Sequence, residues 1–263
     1  MRIAVCVKQV PDTTEIKIDP VKNTLIRKGV PSILNPFDLH ALELALELKD
    51  AYGATVTVFS MGPQQAKEVL REALAMGADE VYLITDRKFG GSDTFATSHI
   101  LSTALSYKGP FDLVLGGKQA IDGDTGQTAS SIAEHLGWPR IGQVLSIEIE
   151  GNSVHAKRQI EEGVEVVEAT LPLVCTAIKE TNKPRYATIK STLDSLEAEI
   201  PEITFEDIKD LIDETKIGLK GSPTKVKKSF VPERNAHGVF LEGAPKEKAH
   251  HLLEELHDAK LIS

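Results

Sequence analysis

The chain has 263 residues, a formal charge of −9, 41% hydrophobic and 26% charged residues, the balance of an ordinary globular protein. The acidic excess argues against nucleic-acid binding, and no apolar run approaches the roughly 18–20 residues of a membrane helix. No signal-peptide pattern precedes the first strand-like run, so a cytoplasmic location is expected. Lys225, Lys227 and Lys228 are the one basic knot, read as a solvated loop.

Residues 3–7 form a short apolar run suited to a strand buried on both faces. Residues 15–19 and 24–27 read as a small hairpin excursion. Pro36 opens a helix with Asn35 as candidate cap; Leu39, Leu42, Leu46 and Leu48 give it an apolar stripe, and Gly53 stops it. Residues 56–59 are the second core strand, after which Met61-Gly62-Pro63 turns into a helix that runs through Ala75 and closes at Gly77. A third strand spans 81–84, and Gly90-Gly91-Ser92 leads into a helix from about Asp93 to Tyr107. A fourth strand, 113–115, feeds a loop over 116–124 and a helix from about Thr125 to Leu136, ended by Gly137 and Pro139. This alternation is that of a parallel sheet with crossover helices.

Beyond Pro139 the texture changes. Residues 144–150, 154–159 and 164–169 read as antiparallel strands joined at Gly151-Asn152 and at 161–163, and 173–178 as a strand returning to the main sheet. From Lys179 onward core residues thin out while Pro, Lys and Glu increase. That stretch reads as an arm, with a terminal helix over 245–259, packing on a partner subunit, the alternative being a partly disordered tail.

Ligands of open parallel sheets bind beyond the carboxyl ends of the strands, where the strand order reverses. Three glycine-bearing loops reach that edge: Met61-Gly62-Pro63, Gly90-Gly91-Ser92, and 116–126. In the last, Thr125 and Thr128 offer hydroxyls while Gly126 and Gln127 offer backbone N–H groups at a helix start, a cradle for phosphate. The bland alternative is a turn with an ordinary cap at Asp124 or Thr125. Neither common phosphate-loop fingerprint is present. The loop Phe89-Gly90-Gly91-Ser92-Asp93-Thr94 resembles that of ATP pyrophosphatases, but Phe89 replaces the first serine and the loop follows the third strand; a close approach to a second nucleotide, or a plain helix cap at Asp93, fits as well. Cys6 and Cys175 lie in apolar runs and read as buried, inert thiols; no catalytic triad or metal-ligand spacing can be assembled.

Three segments together resemble the β subunit of electron-transfer flavoproteins. They are Val5-Cys6-Val7-Lys8-Gln9-Val10-Pro11-Asp12 with Asn35-Pro36-Phe37-Asp38, then Gly117-Lys118-Gln119-Ala120-Ile121-Asp122, and then Arg158-Gln159-Ile160-Glu161-Glu162-Gly163 through Pro172-Leu173-Val174-Cys175-Thr176. Asn182-Lys183-Pro184-Arg185-Tyr186-Ala187-Thr188-Ile189 extends the match, and Cys175 stands where an aliphatic residue is usual. The resemblance implies an α/β, Rossmann-like parallel sheet of the adenine-nucleotide-binding type, with an antiparallel excursion. It implies a nucleotide- or FAD-binding domain over 1–190 and a C-terminal arm over 191–263 that packs on an α subunit.

Ordinary members of the family hold AMP in the β site. Bifurcating members hold a second FAD, which takes a hydride from NADH and sends electrons separately to ferredoxin or flavodoxin and, through the α-subunit FAD, to a partner dehydrogenase. Ordinary members tend to carry Asp or Asn at position 123 and Asn at 126; Gly123 and Gly126 resemble the bifurcating type. The expected cofactor contacts are therefore Val7, Lys8, Gln9 and Val10 at the first strand's mouth; Met61 and Gly62; Gly90 and Gly91, admitting NADH; Thr94 and Thr97, one helical turn apart; and Gly117, Gln119, Asp122, Gly123, Asp124, Thr125, Gly126, Gln127 and Thr128 around the phosphates. Ile189 is the expected plug into a partner dehydrogenase, the bland alternative being that it packs in the core. The acidic stretch 191–199, lysine-rich in some relatives, points to a different partner.

Overall fold

The computed structural model describes residues 1–12, 31–227, 238 and 240–262. The hairpin predicted over 15–27, and Lys228 of the basic knot, lie outside the described residues. The chain divides into two compact units, Met1–Lys227 and Lys228–Ser263.

The first unit opens with β1 (Arg2–Cys6) and a short antiparallel pair, β2 (Gln9–Pro11) and β3 (Ser32–Leu34). There follow α1 (Pro36–Tyr52), β4 (Thr55–Met61), α2 (Lys67–Met76), β5 (Glu80–Ile84), α3 (Thr94–Lys108), β6 (Leu113–Gly117) and α4 (Thr128–Leu136). The meander β7 (Arg140–Glu150), β8 (Ser153–Ile160) and β9 (Gly163–Thr170) precedes β10 (Leu173–Ala177). The unit ends with α5 (Ile189–Glu197), β11 (Glu202–Ile203) and the single turns α6 (Phe205–Ile208) and α7 (Gly218–Gly221). In the second unit α8 (Pro245–Asp258) starts on a proline, and the Glu247 carboxylate takes the Ala244 N–H at 2.8 Å.

Nine strands form one sheet in the order β11-β5-β4-β1-β6-β10-β7-β8-β9. From β11 through β10 neighbours run parallel, and β7 pairs parallel with β10 before the antiparallel β8 and β9. Side chains alternate between two cores, as the period of two in a strand demands. Ile3, Val5, Val56, Val58, Leu113 and Leu115 face one core, which Leu42, Leu46 and Leu70 of α1 and α2 close. Ala4, Phe59, Ile84 and Val114 face the other, closed by Ile100 and Leu101 of α3 and Ile132 of α4. With helices on both faces, the middles of the central parallel strands are buried, which is why they read as short continuous apolar runs.

The structure departs from the sequence reading in three places. Asn35 occupies the cap position of α1 but makes no cap bond; its side chain serves the crevice loop instead. α4 begins at Thr128, not near Thr125, because Asp124 (φ 48°) and Gly126 (φ 62°) adopt left-handed backbone that no helix continues through. The first unit runs well past residue 190: β11 adds to β5, and Ile203, Phe205, Ile208, Ile212 and Ile217 join the core beside α3. These residues lie in a two-residue strand, a single turn and the connecting chain around it, so no periodic signal announced them.

Candidate functional site

The chain runs outward from β1 through β4 to β5, then crosses back to lay β6 on the other side of β1. The strand order therefore reverses between β1 and β6, and a crevice opens beyond their carboxyl ends. It encloses about 960 Å³ and is lined by the ends of β1, β4, β5 and β6 and the first turns of α3 and α4, within the roughly 300–1,000 Å³ typical of ligand sites.

Its floor is fixed by the Asn35-Pro36-Phe37-Asp38 segment. The two Asp38 carboxylate oxygens accept the N–H groups of Lys8 (2.8 Å) and Gly117 (2.9 Å), joining the ends of the two central strands. Burial pushes the Asp38 carboxyl up to about 7, against those two donors and Asn35, which favour its charged form. Asn35 donates to the Gln119 carbonyl (2.9 Å) and accepts the Ile121 N–H (3.1 Å), so it pins the following loop. A Cβ on Gly117 would stand 2.5 Å from Asp38 Oδ1 and 2.6 Å from the Phe37 backbone, so only glycine fits. Asp38 was legible only as part of a motif; its position at the crevice depends on a contact between α1 and β6 that no spacing reveals.

The two helix starts facing the crevice differ. Asp93 caps α3, its carboxylate accepting the Ala96 N–H at 3.0 Å. α4 has Gln127 at its cap position and no side-chain cap bond, so neither Asp124 nor Thr125 plays the ordinary capping role. Asp124 instead accepts from Gln119 Nε2 at 2.8 Å. An uncapped first turn leaves N–H donors and the positive helix end available to an anion. No carbon added at Gly123 would meet anything within 4 Å.

Of the residues predicted at the site, Val7, Lys8, Met61, Gly62, Gly90, Gly91, Thr94, Thr97, Gly117, Gln119, Gly123, Asp124, Thr125, Gly126 and Thr128 line the crevice. Four do not. Gln9 and Val10 leave with β2, where Gln9 reaches the Gln65 carbonyl and Val10 is buried. Asp122 turns back to pair with Lys8 Nζ at 2.6 Å, and Gln127 precedes α4 without lining the crevice. The space beside Gly91 is occupied by Leu219, 3.1 Å from a Cβ built there. Sequence reasoning also missed Cys6, Arg87 and Glu202 in the lining. Burial pushes the Cys6 and Cys175 thiols up to about 12, so neither is a ready nucleophile.

Ile189 is 84% exposed at the start of α5, beside exposed Tyr186, Leu193 and Leu196. It does not pack in the core.

At the seam of α3 and α4 the rings of His99 and His135 lie 5.2 Å apart, and His99 Nε2 accepts the Asp213 N–H at 3.2 Å. Burial first, then their mutual charge and Lys216, holds His99 below the usual histidine range. Burial and Lys216 do the same for His135. Histidines depressed in the folded state contribute stability that is present above their unfolded value, near 6.5, and lost as pH falls toward the lowered folded values. Asp38, raised in the fold, contributes with the opposite slope. The test is therefore a difference: in urea midpoints measured from pH 7.5 to 5, wild type should lose stability relative to His99→Gln as pH falls below about 6.5. Parallel curves would show that His99 does not titrate differently in the two states.

The family model described as "Electron transfer flavoprotein domain" matches residues 22–208. The chain belongs to the electron transfer flavoprotein family. The electron transfer flavoprotein subunit beta of Clostridium acetobutylicum is 51% identical over 262 residues, covering 100% of each chain. That of Megasphaera elsdenii is 52% identical over 249 residues, 92% of each. The caffeyl-CoA reductase-Etf complex subunit CarD of Acetobacterium woodii is 48% identical over 264 residues, 100% of each. As a β-type chain of an electron transfer flavoprotein, the molecule takes part in electron transfer. No described helix is long and apolar enough to cross a membrane.

Proposed function

We propose that the chain is the β subunit of an electron-bifurcating electron transfer flavoprotein. It binds FAD in the crevice and accepts electrons there from NADH. One electron passes to ferredoxin or flavodoxin, and the other through the FAD of an α subunit to a partner dehydrogenase, in the cytoplasm. The observation that supports this most is the uncapped start of α4 opening on a crevice of about 960 Å³. The bare turn around Gly123 and Gly126 suits a diphosphate, and the crevice continues past Thr94 to Met61, Gly62 and Gly90, with room for more than a mononucleotide.

The chain's own residues have definable tasks. The N–H groups at the start of α4, with the Thr125 and Thr128 hydroxyls, would hold the diphosphate, helped by about half a positive charge at the helix end. Lys8 is already paired with Asp122, so the helix end, together with Arg87 and Lys118 in the lining, supplies the attraction. Ile84, Leu101 and Ile132 in the lining exclude water. The flavin, when bound, supplies the redox chemistry, and the protein sets its position and solvent access. No side chain need act as acid or base.

The ATP-pyrophosphatase reading loses its support. Asp93 caps α3, and Ser92 Oγ donates to the Phe89 carbonyl at 2.8 Å, so the loop's polar groups are committed internally. The exposed apolar set Tyr186, Ile189, Leu193 and Leu196 is the proposed docking surface for the dehydrogenase, with Ile189 as its plug. CarD is by its name part of a caffeyl-CoA reductase–Etf complex, which favours such a partner here. The C-terminal arm, α8 included, is proposed to pack on the α subunit.

Flavin content of the co-expressed heterodimer tests the reading. Two FAD per heterodimer, bleached by NADH, is the expected result; one FAD plus AMP means an ordinary subunit and overturns it. Gly126→Val forces a branched residue into left-handed backbone, a cost of roughly 1–2 kcal/mol or more. It should lower β-site occupancy at least about ten-fold, and unchanged occupancy would refute the phosphate assignment.

A further inference from the structure

The crevice wall opposite α4 is the loop over 89–94, which is fastened from behind by chain more than a hundred residues downstream. The Gly90 carbonyl accepts the Leu219 N–H at 3.1 Å, and Ser92 Oγ accepts the Gly218 N–H at 3.0 Å. The Asp93 N–H donates to Ser222 Oγ at 2.8 Å, and that hydroxyl donates to the Gly218 carbonyl at 2.7 Å. Asp93 Oδ1 caps α3, while Oδ2 accepts both the N–H (2.9 Å) and the hydroxyl (2.7 Å) of Thr224. Burial tends to raise the Asp93 carboxyl, but the donors at Ala96 and Thr224 outweigh it and hold it below the ordinary carboxylate range.

A helix cap needs one carboxylate oxygen. The second oxygen of Asp93 is engaged by Thr224, which does nothing for the helix itself. The two residues anchored through Asp93, Ser222 and Thr224, do not line the crevice. Thr94, the next residue after Asp93, does, and its hydroxyl lies 3.5 Å from that of Thr125 on the opposite wall.

We propose that Ser222 and Thr224 are positioning residues for the nucleotide. Locked onto Asp93, they hold Gly90, Gly91 and Thr94 at a set distance from the turn at 125–128, so the ligand's sugar and diphosphate are gripped from two sides. The inference rests on the crevice being a nucleotide site, and it holds for an adenylate or a flavin dinucleotide alike. A charge-assisted hydrogen bond contributes about twice a neutral one, and about 1.4 kcal/mol lost at the binding wall weakens binding about ten-fold.

The test uses the full-length chain co-purified with its α subunit and stripped of nucleotide, with ADP as the calorimetric probe. Thr224→Val keeps the shape and the backbone N–H but removes the hydroxyl; Thr224→Ser keeps the hydroxyl. ADP should bind about ten-fold more weakly to the valine variant and within about two-fold of wild type to the serine variant. In the flavin-loaded heterodimer, the visible circular dichroism band should shift in the valine variant alone. Equal ADP affinity in all three proteins overturns the proposal, even if Thr224→Val lowers thermal stability, because the contact would then serve folding only. A heterodimer that carries AMP in place of a second FAD refutes bifurcation, while the ADP comparison still decides the lock.

Discussion

Gly117→Ala should strip the crevice of nucleotide and lower the melting temperature by several degrees. The new methyl group would lie 2.5 Å from Asp38 Oδ1 and 2.6 Å from both the carbonyl carbon and the Cβ of Phe37. None of these can retreat cheaply. Phe37 sits in the first turn of α1, whose Leu42 and Leu46 are fully buried against the sheet. Asp38 is held by the N–H groups of Lys8 and of Gly117 itself. Overpacking of this kind costs about 1–3 kcal/mol or more, which for a chain of this size is roughly 2–4 °C for each kcal/mol. The relief available is to push the loop after β6 outward, and that loop carries the turn proposed to hold phosphate. Stability and occupancy should therefore fall together. Gly123→Ala is the matched control for stability alone, since its Cβ would meet no protein atom within 4 Å. If calorimetry cannot tell the two variants apart, or if Gly117→Ala keeps its nucleotide, the Asp38 staple does not shape the crevice.

How much of this was legible beforehand depends on the range of each interaction. The parallel strands announced themselves because both faces are buried, and helices such as α1 and α2 because their ends carry glycine in the cap position, Gly53 and Gly77. The turn proposed to hold phosphate could be picked out because glycines at 123 and 126 and threonines at 125 and 128 combine locally. What stayed hidden was made by distant pairs. Asn35 looked like a cap, and its true bonds lie 84 and 86 residues away. Asp93 was readable as the α3 cap, but Thr224 on its second oxygen lies 131 residues on. The same limit explains Gln9 and Val10: they continue the first strand in sequence, yet pairing with β3 draws them out of the sheet.

Arg185→Ala should cost about 3 kcal/mol of stability, a large effect for a residue outside the crevice. Glu43 lies on α1 with its side chain only 5% exposed. Arg185 meets it with Nε at 3.0 and 3.1 Å and a terminal nitrogen at 3.0 Å, and its backbone N–H adds a bond of 2.9 Å. The same terminal nitrogen reaches Asp50 at 2.9 Å. Truncation leaves a buried carboxylate with one backbone donor, and that uncompensated charge, more than the lost attraction, sets the size of the effect. Arg185→Lys should fall between, because an ammonium cannot make the planar fork. Glu43→Gln added to Arg185→Ala should recover part of the loss, since the charge is gone. Urea unfolding of wild type, Arg185→Ala, Glu43→Gln and the double variant closes the cycle. If Arg185→Ala costs less than about 1 kcal/mol, Glu43 has found water and the pair is a surface one. The consequence reaches the proposed docking face. Arg185 fixes the chain just ahead of α5, and Arg71 accepts none of that load; it donates to the carbonyls of Ser195, Leu196 and Ala198 at the far end of the helix. Loss of Arg185 should therefore loosen the start of α5, where Ile189 stands, while its end remains held and nucleotide content stays at the wild-type level.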